Sequence, residues 1–252
     1  MEMTNAGTGS GFRVIDIHAH VVYGLDDGSK SIELSEEMLR KQSEQGVTDV
    51  FCTSHSWGKW DYYWDNLETL RALVREKQLN IRLHSGCEVA CSQEILFTEV
   101  LPYLNEKRRP PFAESRYVLV EFLPKIPKEE LIYCLNVIDA ETDYTPVIAH
   151  AERYERFQYD AEAYHEMTAL QFPIQINACS LVEDQDEGVR KLARRLLKDK
   201  RALFLGSDGH GIDRRPPNLK SGVEYIYANC EKSYAEGVCY RNAENELLGL
   251  RK

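Results

Sequence analysis

Seven short apolar runs punctuate the chain, and most are followed by a stretch with helical spacing. The runs are FRVIDIHAH (12–20), TDVFCTSH (48–55), IRLHSGCEVA (81–90), RYVLVEF (116–122), TPVIAH (145–150), PIQINACSL (173–181) and ALFLGSD (202–208). Most are rich in β-branched or aromatic residues and short enough for strands. Helical patterns fall at 31–46, 66–78, 128–141, 161–171 and 187–200, with a last helical region opening at 218–230. The first places Ile32, Leu34, Met38 and Leu39 at apolar positions and stops at Gly46. Repeated strand–helix alternation, with no linker or composition break, predicts a parallel sheet with helices outside it. For 252 residues, the simplest closure is a single-domain (β/α) barrel with seven strands rather than eight. Function in such barrels sits at the C-terminal ends of the strands. Residues 1–11 (MEMTNAGTGSG) are small and polar and read as a disordered lead-in, so the folded domain is expected over 12–252.

Composition narrows the class. No run approaches 18 apolar residues, so no membrane span is expected. The lead-in lacks the basic start and apolar core of a signal peptide. Seven cysteines without a CxxC pair point to reduced thiols and a cytoplasmic protein. The net charge of −10 counts against a general nucleic-acid binder.

The chemistry lies at the ends of the runs. His18 and His20 are two residues apart, so on a strand they share a face. Asp26 and Asp27 follow in the next loop. Run two ends in His55, run three near Glu88, run four in Glu121, run five in His150, and run seven in Asp208 with His210 just beyond. Five of the seven histidines lie at predicted strand ends; His84 and His165 do not. One such residue is ordinarily a hydrogen-bonded structural one. So many ionisable groups on one rim would be costly to bury uncompensated, and imidazoles with carboxylates are the ligand set of divalent metals. The nitrogen–oxygen mixture suits Mn²⁺, Fe²⁺ or Zn²⁺, and about nine ligands exceed what one ion needs.

This pattern resembles the PHP (polymerase and histidinol phosphatase) superfamily. DIHAHVVYGLDDGSKSIELSEEML, HSGCEV, YVLVEF, TPVIAHAER and SDGHGIDRRPP are similar to one branch in particular. These are the bacterial PHP-type protein-tyrosine phosphatases of capsule and exopolysaccharide operons. The resemblance implies a distorted (β/α)7 barrel and metal ligands at His18, His20, Asp27, His55, Glu88, Glu121, His150, Asp208 and His210. It implies two or three divalent ions, Mn²⁺ foremost, in three groups. The groups are His18, His20, Glu88 and Asp208; Glu88, Glu121 and His150, with Glu88 bridging; and Asp27, His55 and His210. It further implies phosphotyrosine hydrolysis by a metal-bound hydroxide, with the tail of a tyrosine autokinase as partner. Arg153 in HAER and Arg215 in DRRPP correspond to phosphate-binding arginines, whose planar fork matches phosphoryl oxygens; Arg214 ranks below them. Ala151, Cys179 and Gly209 depart from the branch's usual residues, and Gly209 with Gly211 is expected to loosen the last loop.

A cysteine phosphatase needs an arginine six residues after its nucleophile. The residues at that spacing are Gly58, Gln93, Phe97, Ala140, Gln185, Glu236 and Asn245, which excludes the thiolate mechanism. The aromatic stretch WGKWDYYWDN (57–66) reads either as a wall for a phosphotyrosine ring or as a loop packed on the rim. Glu36, Glu37 and Arg40 resemble a helix motif tied in this branch to ring-like homo-oligomers, and the same spacing makes an ordinary surface ion pair. The rival functions are a phosphoesterase for a small monoester of the histidinol-phosphate type, a nuclease, an amidohydrolase and a metal-dependent regulatory protein without turnover. The negative charge disfavours a nuclease. Amidohydrolases commonly bridge their metals with a carboxylated lysine, where this chain offers Glu88. The full ligand set and two arginines speak against a protein without turnover.

Overall fold

The computed structural model describes residues 12–182 and 186–250. The lead-in expected at 1–11 lies outside the described residues. Seven strands form one all-parallel sheet in sequence order: β1 Val14–Ala19, β2 Val47–His55, β3 Arg82–Ala90, β4 Tyr117–Glu121, β5 Thr145–Ile148, β6 Ile174–Asn177 and β7 Ala202–Gly206. Each falls within a predicted run or within one residue of it. Beyond β7 the chain turns back onto β1. Asp208 donates its N–H to the His18 carbonyl (2.7 Å), and His20 donates to the Gly209 carbonyl (2.9 Å), which nearly closes a barrel.

Strand alternation sorts the apolar residues into two layers. Val50 and Cys52 of β2, Val118 and Val120 of β4 and Leu205 of β7 pack in the large cluster beneath the helices. Ile15, Ile17, Phe51, Leu119, Val147 and Phe204 form a smaller cluster drawn from five strands, enclosed by the barrel. Parallel strands buried on both faces read as continuous apolar runs, which is why they stand out in the sequence.

The long helices cover the outer layer: α1 Ile32–Glu44, α2 Tyr63–Glu76, α4 Lys128–Glu141, α6 Ala161–Ala169, α7 Glu187–Lys198 and α8 Lys220–Asn229. α1 starts where the Ser31 side chain accepts the Leu34 N–H, and it ends before Gly46, whose φ of 87° suits glycine. α2 begins three residues earlier than expected, because Tyr63 is a buried anchor inside the aromatic stretch. The short helices α3 Leu101–Asn105, α5 Glu155–Tyr159, α9 Lys232–Glu236 and α10 Asn242–Glu246 escape sequence reading, since five residues span less than two turns and show no period. On α1, Arg40 donates to Glu36 one turn back (2.5 Å) at the surface. No helix among the described residues is long and apolar enough to cross a membrane.

Candidate metal centre

Strand alternation lifts polar side chains directly above the barrel's apolar interior. Phe51 and His55 share a face of β2, and Leu119 and Glu121 share a face of β4. β1 departs from this rule. Between Asp16 and Ala19 three steps of β1 are matched by two of β2, a bulge that switches which face its side chains take. Asp16, which on a regular strand shares a face with His18, instead accepts a hydrogen bond from Gln42 of α1 (2.7 Å). Its other oxygen accepts from the backbone of Ser207 (2.8 Å) and His18 (3.1 Å). Asp16 thus ties β1, β7 and α1 together behind the site. Gly206 permits the approach of β7, since a Cβ there would lie 2.6 Å from the Cβ of His18.

His150 and Asp208 lie two residues past the ends of β5 and β7, so both runs end earlier than the sequence suggests. Both adopt the left-handed region, with φ of 30° and 54°, as does Arg215 at 53°. Histidine and aspartate tolerate it better than most residues, and such conformations gather at functional sites. Gly209 does not loosen its loop. It is buried, its carbonyl holds the His20 N–H, and a Cβ there would meet Pro217 at 2.8 Å.

All nine residues named from the sequence meet on one rim. They fall into four overlapping groups able to hold a metal ion: His20, Asp27, His55 and His210; His18, His20 and Asp208; His18, Glu88 and His150; and His55, Glu88 and Glu121. Glu88 sits at the middle. One carboxylate oxygen lies 3.2 Å from His18 Nε2, 3.1 Å from His20 Nε2 and 3.1 Å from His55 Nδ1, while the other lies 3.0 Å from His150 Nε2. Asp27 reaches His55 Nε2 (3.3 Å) and His210 Nε2 (3.4 Å). The members of each expected group also stand close together: His18 and His20 lie 3.6 and 3.7 Å from Asp208, and His150 lies 3.8 Å from Glu121. His84 and His165 stay away from the rim; His84 contacts Asp49 (2.8 Å) near the opposite end of the barrel.

The donor atoms fit divalent ions. Glu88 Oε2, His55 Nδ1 and His210 Nε2 are buried and complete no well-formed hydrogen bond, although charged neighbours stand close. Native structures rarely leave such atoms unsatisfied without a functional reason. Electrostatics agree for the carboxylates and for His210. At His18, His20 and His55 burial opposes the charge, but neighbouring carboxylates hold each imidazole above its ordinary value, so these three shed a proton on binding a metal. Burial favours the acid form of Glu88, yet the charge of His18 and the hydrogen bond from His150, with the His18 and His20 imidazoles close to the other oxygen, hold its carboxyl well below the usual range. Burial and repulsion from His20 push the His210 imidazole down to about 3, leaving it neutral, as a ligand must be. Burial likewise opposes ionisation of Asp208, but His18 and Arg153 hold it low.

Three supporting residues carry no role in the sequence reading. Asp26 Oδ2 contacts His20 Nδ1 (2.9 Å) and accepts the His55 N–H (2.8 Å). Gln175 Oε1 meets His18 Nδ1 (3.2 Å) and accepts the His150 N–H (2.8 Å). Asn177 accepts from Gln175 (2.8 Å) and donates to Asp208 (3.3 Å). These contacts orient the imidazoles so that their Nε2 atoms face the shared donors. The available signal was the QIN of strand six, two amides on one face of an otherwise apolar run.

A pocket of about 150 Å³ opens onto the centre, lined by His55, Glu88, Glu121, His150, Asp208, Arg153, Arg215, Tyr154 and the Phe122–Pro124 segment. Arg153 pairs with Asp208, and Arg215 with Asp27 (2.9 Å). Arg214 is exposed and lines a neighbouring cleft of about 490 Å³ beside Asp27 and His210. The aromatic stretch divides in two. Trp60 stacks on Tyr63 (4.4 Å) and donates to the His55 carbonyl (2.9 Å), and the buried Tyr63 hydroxyl donates to the Cys52 carbonyl (2.8 Å). Trp57, Tyr62 and Trp64 are exposed.

Residues 14–248 match the family model described as "Capsular polysaccharide synthesis, CpsB/CapC". The chain is 30% identical over 224 residues to the tyrosine-protein phosphatase CpsB of Streptococcus pneumoniae, covering 84% of this chain and 89% of that one. A solved structure from work on YwqE of Bacillus subtilis and CpsB of Streptococcus pneumoniae, described as unique metal-dependent tyrosine phosphatases, superposes with a TM-score of 0.75. The identity there is 24%, with 93% of this chain and 94% of that chain covered. Histidinol phosphate phosphatase of Lactococcus lactis, solved with zinc, L-histidinol and phosphate, shares the fold at a TM-score of 0.59 and 16% identity. That match covers 87% of this chain and 95% of the other. Both superpositions agree with a PHP-type (β/α)7 barrel.

Proposed function

The chain belongs to the CpsB/CapC family of capsular polysaccharide synthesis, and from that premise we propose that it is a metal-dependent protein-tyrosine phosphatase. It acts as a phosphoric monoester hydrolase, without a cysteine nucleophile. The observation that carries this reading is the convergence of nine imidazole and carboxylate donors on one rim, five of which line a pocket of about 150 Å³ together with Arg153 and Arg215. His18, His20, Asp27, His55, Glu88, Glu121, His150, Asp208 and His210 would hold two or three divalent ions, Mn²⁺ foremost. Such ions supply Lewis acidity and an acidified water nucleophile at neutral pH.

The chain's own groups do the rest. Arg153 and Arg215 line the pocket and present guanidinium forks to the phosphoryl oxygens, exchanging their carboxylate partners for the substrate. Asp26 and Gln175 keep His20 and His18 in register. A tyrosine leaving group has a pKa near 10, so it departs as phenolate without a strong general acid, and none is needed among the lining residues. The substrate is a phosphotyrosine protein of capsule or exopolysaccharide synthesis, with the tail of a tyrosine autokinase as the partner and the cytoplasm as the setting. A ring-like homo-oligomer built through α1 would require Arg40 to leave Glu36 for a neighbouring copy.

A matched-metal substrate panel tests the reading: phosphotyrosine peptide, histidinol phosphate and single-stranded DNA, each with Mn²⁺. Phosphotyrosine should be hydrolysed with the highest kcat/KM. Preference for histidinol phosphate or DNA would replace this reading with a small-monoester phosphatase or a nuclease.

A further inference from the structure

Most residues lining the pocket that opens onto the metal centre are charged or polar, and one segment supplies an apolar wall. Phe122, Leu123 and Pro124, the residues that follow β4, line it together. Phe122 is buried, but Leu123 is 75% exposed although it lines the pocket, which places it at the mouth. Its backbone is pinned on every side. Phe122 donates its N–H to the Tyr154 hydroxyl (3.1 Å), the Leu123 carbonyl accepts from Ile126 (3.0 Å), and the Pro124 carbonyl accepts from Glu155 (2.9 Å). The leucine is therefore held out over the opening by a fixed loop. A second apolar surface adjoins the same pocket. Trp57 stacks on His55 with ring centroids 4.8 Å apart and planes 19° from parallel, and remains 57% exposed.

Resting on the phosphatase reading above, we propose that Leu123 is a specificity-determining residue. It packs against the aromatic ring of the substrate's tyrosine, with Trp57 as a second apolar contact for that ring. The buried donors Glu88, His150 and Asp208 lie inside the pocket and Arg153 pairs with Asp208 there, while Arg215 stands at the exposed rim, so the phosphoryl group enters first and its ester substituent is left at the mouth. A short alkyl or hydroxylated substituent buries little of the exposed leucine and tryptophan. A phenyl ring removes apolar surface of both partners from water. The loop is already ordered, so little conformational freedom is lost when the ring docks.

Binding of phenylphosphonate and methylphosphonate to the Mn²⁺-loaded protein, measured by calorimetry, isolates this contact because neither compound turns over. The wild type should bind phenylphosphonate at least about tenfold more tightly. Leu123→Ala should shrink that ratio about fivefold while methylphosphonate affinity and metal content stay constant, and Leu123→Met should restore it. Trp57→Ala should lower the ratio in the same direction. Equal affinities in the wild type, failure to bind either phosphonate, or a ratio unmoved by Leu123→Ala would each overturn the proposal. Hydrolysis of p-nitrophenyl phosphate by the same samples is read separately. No turnover with an intact phenyl preference sinks the phosphatase reading alone, and turnover without a phenyl preference sinks the ring site alone.

Discussion

The Asp26 carboxylate lies 2.9 Å from His20 Nδ1, and the other nitrogen of that ring lies 3.1 Å from Glu88. Asp26 is no member of the four donor groups, yet it fixes which nitrogen His20 offers to them. Burial disfavours a charged His20, but the Asp26 and Glu88 carboxylates together outweigh it and raise the imidazole well above its ordinary value. The same carboxylate accepts backbone N–H groups from His55 and Gly28, so one side chain sets the positions of two rim elements.

Replacing Asp26 with asparagine should therefore weaken metal binding about 10- to 100-fold without unfolding the chain. Calorimetric Mn²⁺ titration beside circular dichroism checks this. Unchanged affinity would show that the Asp26–His20 contact is incidental.

Arg153 and Arg215 separate by environment. Arg153 is paired with a buried carboxylate, while the Arg215–Asp27 pair is solvent-exposed. Arg215→Ala should leave metal content and thermal stability close to wild type and lower kcat/KM for an aryl phosphate about 100-fold. Arg153→Ala should lower turnover as much, and should also destabilise the metal-free chain by removing the guanidinium partner of the buried Asp208 carboxylate. Kinetics and urea unfolding of the two variants, with and without Mn²⁺, provide the comparison.

Away from the centre, buried Asp49 accepts two hydrogen bonds from Arg82 (2.7 and 2.8 Å) and contacts His84 (2.8 Å). Burial opposes its charge, but His84, Arg82 and Thr48 more than offset this and hold its carboxyl below the ordinary range. A depressed carboxylate stabilises the fold fully above its unfolded pKa of about 3.9, and that stability is lost as pH falls through the lower folded value. Asp49→Asn should cost about 1–3 kcal/mol at pH 7. The gap to wild type should hold down to about pH 4 and shrink below it. Urea midpoints across pH 3–7 give the test; a gap that widens on acidification would reverse the sign.

Much of this architecture is legible in the sequence, and the reasons are local. β4 reads as a strand because Tyr117, Val118, Leu119 and Val120 are all buried and apolar, and Glu121 stands out because it ends that run. His84 separates from His55 by position alone, early in its strand rather than late. What stays hidden depends on geometry that no spacing encodes. The β1 bulge turns Asp16 away from His18, although period-two reading puts them on one face. The left-handed turns at His150 and Asp208 carry both beyond their strands. The division of nine donors into overlapping groups follows from where six strand ends and their loops meet in space. Leu123 is invisible in the sequence because its meaning lies in exposure beside a charged pocket.

The most direct test joins metal to turnover. The protein is stripped by exhaustive chelation, assayed on a phosphotyrosine peptide, then titrated with Mn²⁺ while bound metal and released phosphate are followed together. The stripped chain should be inactive, and activity should return as two or three ions bind per chain. Full turnover by the metal-free chain, or metal binding that restores none, would contradict the assignment.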